Sequence, residues 1–175
     1  SWKRGLRERD GQALAQFSAE HVRDIAGEKA VQYLFFDQWR RLKAYANEKG
    51  ISIIGDMPIY VALDSVEVWA HRELFQLDED GVPGEVAGCP PDGFSADGQL
   101  WGNPLFDWER MAGDNYAWWI SRMRRCSALF DVVRIDHFRG LESYWSVPYG
   151  DSTARGGSWV KGPGEAFLRS LKAHL

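Results

Sequence analysis

A chain of 175 residues is long enough to bury one core, and its 45% hydrophobic and 26% charged residues are ordinary for a soluble globular protein. A formal net charge of -4 argues against nucleic acid as a partner, because phosphate binding needs a basic surface. No apolar run reaches membrane-spanning length, and the opening "SWKRGLRERDG" lacks the apolar segment of a signal peptide, so neither a membrane nor a secretory route is expected. The first residue is Ser1 rather than Met, as in a piece cut from a longer protein. Cys89 and Cys126 are too few for a disulfide framework and stand at no metal-ligand spacing. Free thiols in a reducing cytoplasm are the simplest expectation, with no metal and no cofactor.

In chain order, Ala13, Leu14 and Phe17 share one side of a predicted helix over about residues 8–27, with Ser18 as the cap of a second short helix inside that span. Val31, Leu34, Phe35, Leu42, Tyr45 and Ala46 recur at helical spacing and predict a longer helix over about 30–49, ended by Gly50 in a left-handed cap. "ISIIGD" is a short β-branched run and predicts a buried, parallel-type strand. "LFQLDEDGVPGEVAG" predicts a hairpin around Asp80-Gly81, and "GCPPDGFSADGQLWGNP" a loop rich in Gly and Pro. Asp107 then caps a predicted helix of about 20 residues, with Trp108, Met111, Ala112, Trp119, Ile120 and Met123 on one stripe. "LFDVVRID" predicts the second buried strand, and a last helix starts near Pro163.

Helix, strand, long insertion, helix, strand, loop, helix is the order of a parallel α/β protein. Charge gathers after each strand: Asp56 after the first, and Arg134, Asp136 and His137 at the second. Barrel enzymes place their sites at the C-terminal ends of strands. An open doubly wound sheet obeys a similar rule, but neither strand here leads into a Gly-rich phosphate turn. The expected fold is α/β, a partial (β/α)8 barrel with an irregular, loop-rich insertion over about residues 62–106. Because a whole barrel takes ~250 residues, residues 1–175 are expected to be its central portion, incomplete at both ends.

Alternation along "VVRIDH" puts Val132, Arg134 and Asp136 on one face, with the two charges ~6.6 Å apart along the strand. A buried Arg beside Asp136 would favour the charged carboxylate, which a nucleophile needs. A structural ion pair between adjacent strands fits the same spacing. His137 follows, and a lone His is more often a packing or hydrogen-bonding residue than a catalyst. Asp56 fits an acid that orients a ligand or another barrel side chain and, somewhat better, an acid that bonds the loop after its strand. In the Gly/Pro-rich loop, Asp92, Phe94, Gln99, Trp101 and Asn103 offer an acid, two amides and two aromatics. Such a set suits a polyhydroxylated ring, whose apolar face stacks while its hydroxyls hydrogen-bond. An ordered surface loop with its aromatics tucked beneath is the alternative.

"IIGDMPIYVALDS", "CPPDGFSADGQLWGNPLFDW", "VVRIDHFRG", "YWSVPYG" and "TARGGSWVKGPG" together resemble the amylomaltases, bacterial 4-alpha-glucanotransferases of the α-amylase superfamily, from about Phe35 to Gly164. The resemblance implies a retaining (β/α)8-barrel enzyme that moves α-1,4-glucan segments between maltooligosaccharides. Retaining chemistry uses two carboxyl groups ~5 to 5.5 Å apart, one nucleophile and one acid/base. By motif, Asp136 resembles the nucleophile and Arg134 the Arg that holds it. Asp56, Tyr60 and His137 match the subsite for the sugar being cleaved, and Asp92, Phe94 and Trp101 match a loop that folds over the glucan. Gly93 stands where a Tyr is more usual, and Glu67 where an Asp is. The acid/base Glu is expected beyond Leu175, since Glu142 and Glu165 do not match its motif. These 175 residues are therefore expected to be inactive alone and, with sheet edges and apolar helix faces exposed, to self-associate or be only marginally stable. A non-catalytic glucan-binding piece and an α-amylase-type hydrolase are the alternatives.

Overall fold

The computed structural model describes residues 2–175. Their internal contacts divide them into two units, 2–54 with 129–132 and 55–128 with 133–175. In the first unit a single turn, α1 (Arg4–Arg7), precedes α2 (Gly11–Glu20), which starts where the Asp10 carboxylate accepts the Ala13 N–H at 2.8 Å. Ser18 lies inside α2 and does not open a new helix. One serine costs a helix interior about 0.5 kcal/mol, too little to stop a helix already started by a good cap. The break falls at His21, and α3 (Val22–Glu48) runs on from there as one helix. Gly50, at φ +75°, ends it in the expected left-handed cap, and the Ile51 N–H reaches back to the Ala46 carbonyl at 3.0 Å. The apolar residues of α3 recur as the sequence predicts, yet Val31, Leu34, Phe35, Leu42 and Tyr45 are all exposed.

The first strand, β1 (Ile54–Pro58), starts later than "ISIIGD" predicts. Side chains account for the shift. Asn47 donates to the Ile51 carbonyl at 3.0 Å, and the Asp131 carboxylate accepts the Ile53 N–H at 2.8 Å while the Asp131 N–H returns a bond to the Ile53 carbonyl at 2.9 Å. These bonds engage the backbone of Ile51 and Ile53 without a ladder.

The second unit holds the core. After β1 come a short helix, α4 (Val66–Ala70), capped by Ser65, and a 3-10 turn at Arg72–Leu74. Regular structure therefore interrupts the region read as an irregular insertion. The Asp80-Gly81 turn forms around the Asp78 carboxylate, which accepts the N–H groups of Asp80 and Val82, but its hairpin is limited to one bridge, Leu77 to Pro83. Beyond it lie β2 (Glu85–Cys89) and β3 (Gln99–Pro104). "QLWGNP" is thus a strand rather than loop. Its Gly and Pro mislead because β3 bulges: Val86 opposes Pro104 while Gly88 opposes Leu100, with Gly102 at φ +75° in between.

Asp107 caps α5 (Trp108–Gly113), as predicted, but the expected long helix is broken. Asn115 and Tyr116 take left-handed backbone at φ 57° and 59°, and the Asp114 carboxylate caps a new helix, α6 (Ala117–Leu129). The break turns Tyr116 into the core against Phe167. Then come β4 (Val132–Asp136), a 3-10 turn at Phe138–Leu141, β5 (Ser143–Pro148), β6 (Ser158–Lys161) and α7 (Gly164–His174).

Strands β1 and β4 pair in a two-stranded sheet, and the others form an antiparallel sheet in the order β3-β2-β5-β6. The fold is a mixed α/β arrangement. Three of its nine tryptophans are packing residues: Trp108, Trp118 and Trp119 cluster with Phe106 and Phe167. One side of β1 and β4, with Gly55 and Met57 buried and Val133 and Ile135 half-buried, faces this core. The other side, expected to be buried too, is exposed along both strands. Among the described residues no helix is long and apolar enough to cross a membrane.

Candidate active site

The alternation of β4 puts Val132, Arg134 and Asp136 on its exposed face, and that of β1 puts Ile54 and Asp56 on its own. Across the strand pair, Arg134 grips Asp56 with a two-pronged fork, Nε to Oδ1 at 2.9 Å and Nη2 to Oδ2 at 2.7 Å. The same Nη2 reaches Asp136 Oδ1 at 3.2 Å. The expected Arg134–Asp136 contact is present, but it is the weaker of the two. Asp56 bonds this guanidinium, not the loop after its strand. Nor is Arg134 buried: its side chain is 62% exposed. The hydrogen bonds and charge of Asp56, with a further contribution from Asp136, push the Arg134 pKa above its usual value. One cation thus organises two acids, through the planar geometry that suits Arg to carboxylates.

His137 ends β4 with left-handed backbone, φ 51°, which turns its ring back toward the core side. The ring stands perpendicular to Trp101 at 4.7 Å between centroids, and its Nε2 is enclosed without a hydrogen-bond partner. Burial pulls the His137 pKa below 6.5, against the opposing pull of the Asp136 charge. Tyr60 is buried beside it, stacked on Phe106 at 6.0 Å and tilted against Trp101 at 6.2 Å. Burial, with the neighbouring Tyr144 and Cys89, raises the Tyr60 pKa far above 10, so its hydroxyl stays protonated.

These groups converge on a cavity of about 160 Å³ lined by Pro58, Ile59, Tyr60, Trp101, Asn103, Asp136 and His137. The bulge in β3 aims Trp101 and Asn103 into it, and the Asn103 amide also holds the Val61 carbonyl at 2.8 Å. Asn103 was legible as an amide in an aromatic loop, but only its place two residues after Trp101 on a strand marks it as a cavity residue.

Asp92 and Phe94 do not line this cavity. The Asp92 carboxylate accepts the N–H groups of Phe94 and Ser95, both at 2.8 Å, and so shapes the tip of its own loop. The Phe94 ring stands fully in solvent. The loop is latched below that tip: Asp97 pairs with Arg155 at 2.7 Å, and its carbonyl accepts the Ala154 N–H at 2.9 Å. Among the described residues no three His, Cys, Asp or Glu side chains gather to hold a metal ion.

A family model described as 4-alpha-glucanotransferase matches residues 1–175. The chain belongs to the 4-alpha-glucanotransferase family. It is 51% identical over 169 residues to the 4-alpha-glucanotransferase of Streptococcus pneumoniae serotype 4, a match that covers 97% of this chain and 34% of that protein. It is 49% identical over 171 residues to the Thermus thermophilus 4-alpha-glucanotransferase, again covering 34% of the relative. Among solved structures, the amylomaltase from Streptococcus agalactiae in complex with acarbose superposes with a TM-score of 0.96 at 44% identity, over 100% of this chain and 36% of that one. The chain therefore spans about a third of the length of the curated relatives it matches. The family expectation drawn from the motifs is borne out.

Proposed function

We propose that these 175 residues are the part of a 4-alpha-glucanotransferase that carries its nucleophile, within a (β/α)8 barrel whose central portion they form. Asp136 attacks the anomeric carbon of an α-1,4-glucan as the glycosidic bond breaks, giving a glycosyl-enzyme ester. A hydroxyl of a second maltooligosaccharide then displaces Asp136 and restores the α configuration. Arg134 positions Asp136 through its Nη2. Asp56 fixes Arg134 and, with Tyr60 and His137, lines the subsite of the sugar being cleaved. Trp101 offers that sugar an aromatic edge, while Asp92 shapes the loop that presents Phe94 to the glucan chain. The acid/base that protonates the leaving oxygen is not among these residues, so the 175-residue chain alone transfers no glucan. No metal or cofactor enters the scheme. Cys89 and Cys126 are free, which suits a reducing cytoplasm.

The observation that carries the reading is the placement of Asp136 at a cavity lined by Tyr60, Trp101 and His137, with its carboxylate held by an arginine already anchored on Asp56. The barrel is supported by the character of the exposed side of β1 and β4. It is apolar at Ile54 and Val132 and charged at the C-terminal end, the pattern of an inward barrel face. The test is Asp136→Asn in a full-length enzyme carrying this sequence. Maltotriose disproportionation should fall by on the order of 10⁴-fold or more. Near-normal transfer would remove Asp136 from the role. Product analysis decides against a hydrolase if longer oligosaccharides form from maltotriose. Transfer by the pure 175-residue chain would contradict the assignment of the acid/base elsewhere.

A further inference from the structure

Arg122 stands on α6, and its guanidinium donates to two consecutive backbone carbonyls at the end of β1. Nη2 reaches the Pro58 oxygen at 2.6 Å and Nη1 the Ile59 oxygen at 3.0 Å. The guanidinium carbon Cζ lies over the rings of Trp118 and Trp119, 5.3 and 4.9 Å from their centroids. Those rings belong to the buried aromatic cluster, so the fork is held from behind by the rigid core. Burial lowers the Arg122 pKa, and the two carbonyls stabilise the charge that burial penalises.

What Arg122 holds is part of the cavity's wall. Pro58, Ile59 and Tyr60 line it together with Asp136 and His137, and at Tyr60 the chain has left the β1–β4 pair. Two side chains grip the carbonyls of this turn: Arg122 at Pro58 and Ile59, and Asn103, itself a cavity residue, at Val61. A planar, doubly bonded group fixes both the height and the tilt of consecutive peptide units, which one hydrogen bond does not.

We infer that Arg122 is a positioning residue for glucan transfer: through the Pro58–Tyr60 turn it sets the sugar-binding wall against Asp136. The inference rests on the glucanotransferase reading of the cavity. It differs from a general role in fastening α6 in a way that Arg124 exposes. Arg124, on the same helix, also donates twice to a backbone carbonyl, Nε and Nη2 to His174 at 3.2 and 3.0 Å, but His174 lies at the end of α7 and lines no part of this cavity.

The test uses a full-length 4-alpha-glucanotransferase carrying this sequence, with maltotriose as donor and acceptor. Arg122→Met keeps the apolar stem over the tryptophans and removes the donors, Arg122→Lys keeps the charge and restores part of the donation, and Arg124→Met is the control. Arg122→Met should lower kcat/KM about tenfold or more, Arg122→Lys should recover part of that loss, and Arg124→Met should stay within about twofold of the wild type. Independently of turnover, amide exchange in a peptide covering residues 58–62 should quicken in Arg122→Met and not in Arg124→Met. Wild-type kcat/KM in Arg122→Met, equal losses in the two Met variants, or unchanged exchange at 58–62 overturns the inference. If Arg122→Met does not fold, Arg122→Lys carries the comparison: reduced kcat/KM at an unchanged melting temperature supports it, and wild-type kcat/KM overturns it. A wild type that moves no glucan sinks the glucanotransferase reading instead, and the exchange measurement still judges whether Arg122 holds the turn.

Discussion

Replacing Gly98 with alanine puts a methyl group where the loop between β2 and β3 has no room for one. Gly98 has φ +68°, and an added Cβ would overlap the Cys89 carbonyl oxygen while meeting the Ala154 Cβ at 2.9 Å and the Pro90 carbonyl carbon at 3.0 Å. Two of these three neighbours are backbone atoms and do not swing aside. Left-handed backbone alone costs an alanine about 1–2 kcal/mol. Forcing a methyl into packed surroundings adds about 1–3 kcal/mol. Together they predict a loss of about 2–5 kcal/mol. Gly93, five positions earlier in the same loop, is the control, because a Cβ there meets nothing within 4 Å. Gly93→Ala should stay within about 0.5 kcal/mol of the wild type. With a urea slope of about 2 kcal/mol per molar, the Gly98 variant should unfold at least about 1 M earlier. Tryptophan emission during reversible urea unfolding, at one protein concentration for all three chains, measures this. A Gly98→Ala midpoint within about 0.3 M of the wild type, or an equal fall in Gly93→Ala, refutes the steric argument.

Three further outcomes are expected. His137 should titrate below 6.5 by NMR, because burial disfavours its charged form. Its folded pKa is depressed, so its contribution to stability is complete above about pH 6.5 and is lost as pH falls through the folded value; a midpoint at or above 6.5 contradicts this. Asp56→Asn removes the charge that anchors Arg134, and in the full-length enzyme it should lower kcat/KM by about 10- to 100-fold through misplacement of Asp136; wild-type kinetics would show that Asp56 holds nothing the reaction uses. The 175-residue chain should self-associate, a second copy covering the exposed Val31, Leu34, Phe35, Leu42 and Tyr45 of α3. A single monomer species in sedimentation across a hundredfold range of concentration would contradict that.

Local chemistry made part of this structure legible from sequence. Asp107 and Gly50 end or start helices through their own side chain or its absence, so their positions needed no tertiary information. The alternation in "VVRID" placed Arg134 and Asp136 on one face for the same reason. What stayed hidden depends on partners distant in sequence. Strand β1 starts late because Asp131, 78 residues on, takes the N–H of Ile53. Strand β3 reads as loop because its ladder needs β2 and its bulge needs Gly102. The break at Asn115 and Tyr116 has a local signal in Asp114, a good cap, but the apolar stripe on either side of it outweighed that signal. In the site, Arg134 and Asp56 were both found, but their pairing with each other was not. Nothing near "VVRIDH" names Asp56, and the choice between its two acids is made by the pairing of β1 with β4.

That pairing also bears on how much the exposure of the site means. An antiparallel sheet face turned permanently to water carries polar residues along its length. The exposed side of β1 and β4 does not: Ile54 and Val132 are uncovered apolar side chains, and charge begins only at Asp56, Arg134 and Asp136. Apolar residues beneath and charges at the C-terminal end match the layered interior of a barrel with its site at the mouth. In the proposed barrel, further strands cover the apolar layer and exclude water from the charges above it. The Arg134–Asp56 and Arg134–Asp136 contacts, 2.7 and 3.2 Å long, then act in a medium of lower dielectric without any change of partner. The geometry that would aim Asp136 is thus already present in these residues, while the electrostatic strength of these contacts follows from the enclosure in the proposed barrel.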